Sequence, residues 1–160
     1  GGLTQAGRGV VRAMNAAGII IDLAHAAEKT AFGILETTTK PVICSHTHIR
    51  SETIDGTRFI SLELAKEIAN AGGVIGAWPA GIGIDSLNGF VDRIIELVDA
   101  VGIDHVGLGT DMDANYKPVW KDYREFPDVV ARLLERGLDE AGIAKIIGGN
   151  GLRVFGAVAA

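Results

Sequence analysis

The sequence predicts an α/β chain built on a parallel sheet, and three observations carry that expectation. Four apolar segments of strand length, at 19–25, 41–46, 74–78 and 106–111, alternate with stretches of helical periodicity. The intervening stretches are long enough for crossover helices, which makes successive strands parallel and brings their carboxyl ends to one side. Three of those ends carry His25, His46 and Asp111, and the other carries Trp78, placed to wall a pocket. Polar residues at several successive strand ends fit the mouth of a barrel better than a single nucleotide crevice. A full TIM-type (β/α) barrel takes ~250 residues, so 160 residues with four βα units predict about half of one.

Taken in order, Thr4 reads as the N-cap of a helix through Val10, Val11 and Met14 that Gly18 stops. The first strand ends at His25, and a helix from Ala26 to about Thr38 should turn Phe32 and Leu35 inward. Pro41 opens the second strand, whose parity places Val42, Cys44 and His46 on one face, as Ile21, Leu23 and His25 share one in the first. The polar stretch 47–60 is long for a βα connection, which typically takes ~2–6 residues, and long connections tend to be functional. Ser61 caps the next helix, with Leu64, Ile68 and Ala71 along one side, and Gly72-Gly73 ends it. The third strand, 74–78, is broken by Pro79. A helix from about Ser86 to Ala100 carries Phe90, Ile94, Leu97 and Val98 at the spacing of a buried stripe, and Gly102 stops it. After the fourth strand come a loop with Tyr116, Trp120 and Tyr123, helices over 127–136 and 139–147, and a last helix through Leu152, Val154 and Phe155.

Composition narrows the function classes. The chain is 48% hydrophobic and 22% charged, which suits one real core, and its net charge of −5 gives no footprint for nucleic acid. A small-molecule partner is expected. Cys44, the one cysteine, lies inside an apolar strand, which excludes an intrachain disulfide and a CxxC site. No apolar run approaches the ~20 residues of a membrane span, and the amino end lacks a signal-peptide pattern. Gly1-Gly2-Leu3-Thr4 reads as the lead-in to a helix in mid-domain, so the chain is expected to be a piece of something longer. Localisation therefore stays open, the cytoplasm being preferred over secretion.

Two histidines at matched strand ends can converge on one metal ion, because neutral imidazole is the commonest metal ligand. Asp111 adds a carboxylate that can complete the ligand set or carry a proton, and Gly107 and Gly109 are expected to leave space below it. Asp113 either joins this chemistry or shapes the loop. Arg50 and Arg58 follow His46; an arginine beside a metal reads a substrate carboxylate through its fork, while a solvated loop position suits either alone. His48 is either a spare ligand, a group supporting a ligand, or a surface residue, the surface being preferred, and His105, ahead of the fourth strand, is expected to be structural. Trp120 and Tyr123 serve equally well as core or lid. Asp22, inside a strand, requires a buried partner.

The blocks Gly2-Leu3-Thr4, Ile21-Asp22-Leu23-Ala24-His25, Pro41-Val42-Ile43-Cys44-Ser45-His46-Thr47, Gly107-Leu108-Gly109-Thr110-Asp111-Met112-Asp113 and Gly148-Gly149-Asn150-Gly151-Leu152-Arg153-Val154-Phe155 resemble, in order, the carboxyl-terminal half of the M19 peptidases. These form the membrane or renal dipeptidase family of metal-dependent TIM barrels, and the histidine separation, 46 − 25 = 21, agrees with their pattern. The resemblance implies a binuclear zinc dipeptidase in which His25 and His46 hold zinc and Asp111 is catalytic. It also implies that Arg58 grips the carboxylate of a dipeptide substrate, although the family often has Arg-Asn where this chain has Arg58-Phe59. In the family a His-x-Asp pair and a bridging glutamate complete the site, and this sequence supplies ligands for one ion alone. Residues 1–160 are thus expected to be the carboxyl-terminal half of one hydrolase barrel, inactive by itself and either a homo-oligomer or paired with a complementing half. The competing readings are another amidohydrolase of the same barrel type and a non-catalytic half-barrel used as a binding module.

Overall fold

The computed structural model describes residues 1–51, 54–112 and 116–159. Three strands, β1 (Ile43–Thr47), β2 (Val74–Ala77) and β3 (Val106–Leu108), pair in parallel in the order β1-β2-β3. Helices α1 (Gln5–Ala16) and α2 (Glu28–Leu35) precede the sheet, α3 (Leu62–Asn70) and α4 (Leu87–Val101) make its crossovers, and α5 (Phe126–Glu135), α6 (Glu140–Ala144) and α7 (Asn150–Ala159) follow it. Boundaries follow local chemistry. The side chains of Thr4, Ser61 and Ser86 accept from the amides of Gly7, Leu64 and Gly89 at 3.1, 3.1 and 3.3 Å, satisfying first-turn donors. Gly18, Gly72 and Gly102, at φ 66, 74 and 86, leave their helices through the left-handed region.

The alternation along the strands divides the core. Val42, Cys44, Ile75, Ala77 and Val106 pack with Leu64, Ile68, Phe90, Ile94 and Leu97 of the crossover helices. Ile43 and Val74 point the other way and meet Val154 and Val158 of α7. In α2 the positions buried are Ala31, Gly33 and Ile34, with Phe32 and Leu35 only partly covered. Trp120 is core, packed against Phe90 and Phe126, whereas Tyr123 is 63% exposed.

Four strands were expected, and three form among the described residues. Segment 19–25 runs parallel to β1, joined by an isolated bridge between Asp22 and Ile43. Leu23 N donates to Ile43 O at 2.8 Å and Ile43 N to Ile21 O at 3.0 Å, after which the chain turns at Ala24-His25, where His25 takes φ 65. A segment paired along one edge for so few residues is an incomplete strand. The fourth predicted strand is also short, ending at Leu108, and Asp111 sits at φ 46. Gly109 does not open space beneath Asp111, because a Cβ there would meet the Ser45 carbonyl and stand 3.0 Å from the His46 Cα. Gly76 faces the same carbonyl, where β1 bulges between Cys44 and Thr47.

Candidate active site

At the carboxyl ends of the strands the two predicted histidines meet. His25 Nε2 lies 3.0 Å from His46 Nε2, and Asp111 Oδ2 is 3.7 Å from the same His46 nitrogen. Different local structures deliver them. His46 is carried by β1 and is largely buried, while His25 stands on the exposed turn after the bridge. Asp22 joins the two supports, its Oδ1 accepting from Ala24 N and Ser45 N, both at 2.9 Å. The partners Asp22 requires are therefore backbone amides at the turn and in β1, and the residue is exposed, not buried.

Electrostatics favour the neutral imidazole. Burial pushes His46 below the ordinary histidine value, against the pull of the Asp111 carboxylate. Ser45 Oγ lies 2.9 Å from His46 Nδ1; when Nδ1–H donates to that oxygen, the Nε2 lone pair faces His25 and Asp111. Arg58 Nη1 stands 3.0 Å from both ring nitrogens of His25, and its guanidinium carbon 5.8 Å over the Trp78 ring. Arg50 is paired with Glu28 at 2.5 Å. A cleft of about 420 Å³ opens here, lined among others by His25, Glu28, His46, Arg50, Arg58 and Phe59. Trp78 does not line it: the indole is buried with Ile54, Phe59 and Ala80, its ring centroid 5.7 Å from that of His46.

The donor set suits a transition metal in part. Two nitrogens bound to one tetrahedral ion at ~2.0–2.1 Å stand roughly 3.3 Å apart, close to the observed 3.0 Å. Among the described residues no group of three or more His, Cys, Asp or Glu side chains is arranged to hold an ion. Asp113 lies outside the described residues.

The chain is similar to known proteins. The model of the membrane dipeptidase family, peptidase family M19, matches residues 1–160. The chain belongs to this family. It is 31% identical to dipeptidase tcpJ of Claviceps purpurea over 96% of its own length and 38% of that protein's. It superimposes with a TM-score of 0.92 and 25% identity on the probable dipeptidase PvdM from Pseudomonas aeruginosa, covering 99% of this chain and 55% of that one. A metallo peptidase from Rhodobacter sphaeroides, liganded with a phosphinate mimic of the dipeptide L-Ala-D-Ala, gives 0.89 and 26%, covering 98% and 47%. This M19 chain thus spans about two fifths to a little over half of these relatives' lengths.

Some residues fall elsewhere than the sequence placed them. His48 is not at the surface: it is 1% exposed, with Nε2 2.9 Å from Glu96 Oε2 on α4. Beside them Arg93, 2% exposed, donates to the carbonyls of Ala80 and Ile82. The signal was present in α4, where Arg93 falls on the buried stripe of Phe90, Ile94 and Leu97. His105 is structural as expected, its Nδ1 2.9 Å from Gly73 O. Cys44 is inert core, burial pushing its thiol up to about 12.

Proposed function

We propose that this chain supplies the carboxyl-terminal half of a zinc-dependent dipeptidase that hydrolyses the peptide bond of dipeptides. The observation that carries the reading is the meeting of His25 and His46 at 3.0 Å with the Asp111 carboxylate beside them. His25 and His46 would hold one zinc ion of a binuclear pair, through Nε2 in each case. A zinc ion held there would supply Lewis acidity, for polarising the scissile carbonyl and for lowering the pKa of water toward neutrality. Ser45 Oγ can accept from His46 Nδ1–H, which leaves Nε2 free for a metal, and Asp22 ties the His25 turn to β1. Asp111, partly exposed, takes up at Oδ2 the proton of the attacking water and delivers it to the departing amine. Arg58, at the cleft wall, receives the free carboxylate of the substrate through its fork, and buried Trp78 backs both the guanidinium and the His46 ring without touching substrate.

Residues 1–160 are read as one half of a single barrel domain. Two features support this: segment 19–25 is bridged to the sheet along one side, and Ile19, Ile147, Leu152 and Phe155 are 50, 37, 73 and 60% exposed. The same exposed residues fit association with a complementing half or a second copy. By itself the chain is expected to hold at most one metal ion, weakly. Zinc analysis and dipeptide hydrolysis test the reading in the complete protein. Arg58→Ala should keep its zinc and lose its preference for a dipeptide over the same dipeptide as its carboxyl-terminal amide; an unchanged preference refutes the role of Arg58. A complete protein with no zinc and no peptidase activity refutes the whole.

A further inference from the structure

We propose that His48, anchored by Glu96, is a positioning residue that holds the Arg58 segment over the candidate site. This inference rests on the reading of Arg58 as the reader of the substrate carboxylate. Arg58 stands on a long connection, and a guanidinium can orient a carboxylate only if its backbone is fixed. Among the described residues, the hydrogen bonds that tie the backbone of 58–60 to another stretch of chain come from residues 47–50. Thr47 Oγ1 donates to Arg58 O at 2.8 Å, Ile60 N to His48 O at 3.0 Å, and Arg50 N to Ile60 O at 2.8 Å, a short parallel bridge of Ile49 with Ile60. β1 ends at Thr47, whose carbonyl accepts from Trp78 N at 3.1 Å, and the His48 side chain lies just beyond the sheet.

What holds His48 is α4. Its buried imidazole reaches Glu96 at 2.9 Å, and neighbouring Arg93 donates to Ala80 and Ile82 in the connection after β2. That connection follows Trp78, over which the Arg58 guanidinium lies and against which Phe59 packs at 6.3 Å between ring centroids. One turn of α4 thus grips both connections that frame Arg58, through His48 on one side and Arg93 on the other.

The experiment uses the complete protein with zinc bound, L-Ala-L-Ala and its carboxyl-terminal amide as substrates, and the variants His48→Ala, His48→Gln, Glu96→Ala and Arg58→Ala. In His48→Ala the KM for the free dipeptide should rise about tenfold, with kcat within about twofold and the KM for the amide unchanged. His48→Gln, whose amide can still donate to Glu96, should recover most of the loss. Glu96→Ala, at an exposed position that leaves the core intact, should show the same pattern more weakly. Hydrogen exchange of the Ile60 amide should quicken in His48→Ala and Glu96→Ala while β2 amides stay protected. A fall in kcat at constant KM, an equal effect on both substrates, or unchanged exchange at Ile60 overturns the proposal. If Arg58→Ala itself leaves the acid-to-amide preference intact, the carboxylate reading fails, and Ile60 exchange alone decides whether His48 holds the segment.

Discussion

Segments 19–25 and 41–46 share one pattern, an apolar run ending on a histidine, yet they fold differently. The second becomes the start of β1, paired with β2 on one side and with Ile21 and Leu23 on the other. The first has a partner on one side only; among the described residues it forms a single bridge, turns through a positive φ and leaves Ile19 half exposed. Strand formation here is a property of the neighbours on both edges, because an apolar run gains most of its stability by satisfying both backbone edges and covering both faces. The histidines nevertheless arrive together, since Asp22 accepts from both supports.

The comparison is broken most directly by removing each histidine in the complete protein. Changing a group that merely hydrogen-bonds a metal ligand costs ~10–100-fold in metal affinity, so His25→Ala and His46→Ala, which would remove ligands themselves, should each lower zinc affinity and kcat/KM by more than about a hundredfold. Equal losses would mean that the turn serves as well as the strand; retention of zinc in His25→Ala would leave the exposed turn outside the metal site. A smaller change separates the supports. Ser45→Ala removes the partner of His46 Nδ1 and should weaken zinc binding roughly tenfold, measured by competition with a chelator. Packing gives the third contrast. Val42, fully buried beside β1, should cost about 2 kcal/mol when changed to Ala, whereas Ile19→Ala should stay within about 0.5 kcal/mol in denaturant unfolding of this chain. In the complete protein a larger cost at Ile19 would show that the first segment gains a second neighbour.

The smallest effect is a slope with pH. Burial holds His46 and, with the adjoining Arg93 charge, His48 below the ordinary 6.5, His48 at about 4 despite Glu96. Between these values the unfolded chain binds protons that the folded chain does not, so stability rises with pH from about 4 to 6.5 and is lost as pH falls through that window. His48→Gln should flatten the rise in urea midpoints measured across it; an unchanged slope would assign it to other groups.

The parallel α/β order, the caps at Thr4 and Ser61, the stops at Gly18, Gly72 and Gly102, and the pairing of His25 with His46 were all legible in the sequence. Each depends on residues within a few positions or on a period, which is the information a linear chain carries openly. Tertiary structure alone decided that segment 19–25 stops short of a strand, that Gly109 admits the Ser45 carbonyl, and that Trp78 lies behind the cleft. It also decided that His48 is buried, through Glu96 forty-eight positions away. Those outcomes turn on which distant backbone or side chain completes a hydrogen bond or fills a gap, and neither period nor propensity specifies that partner.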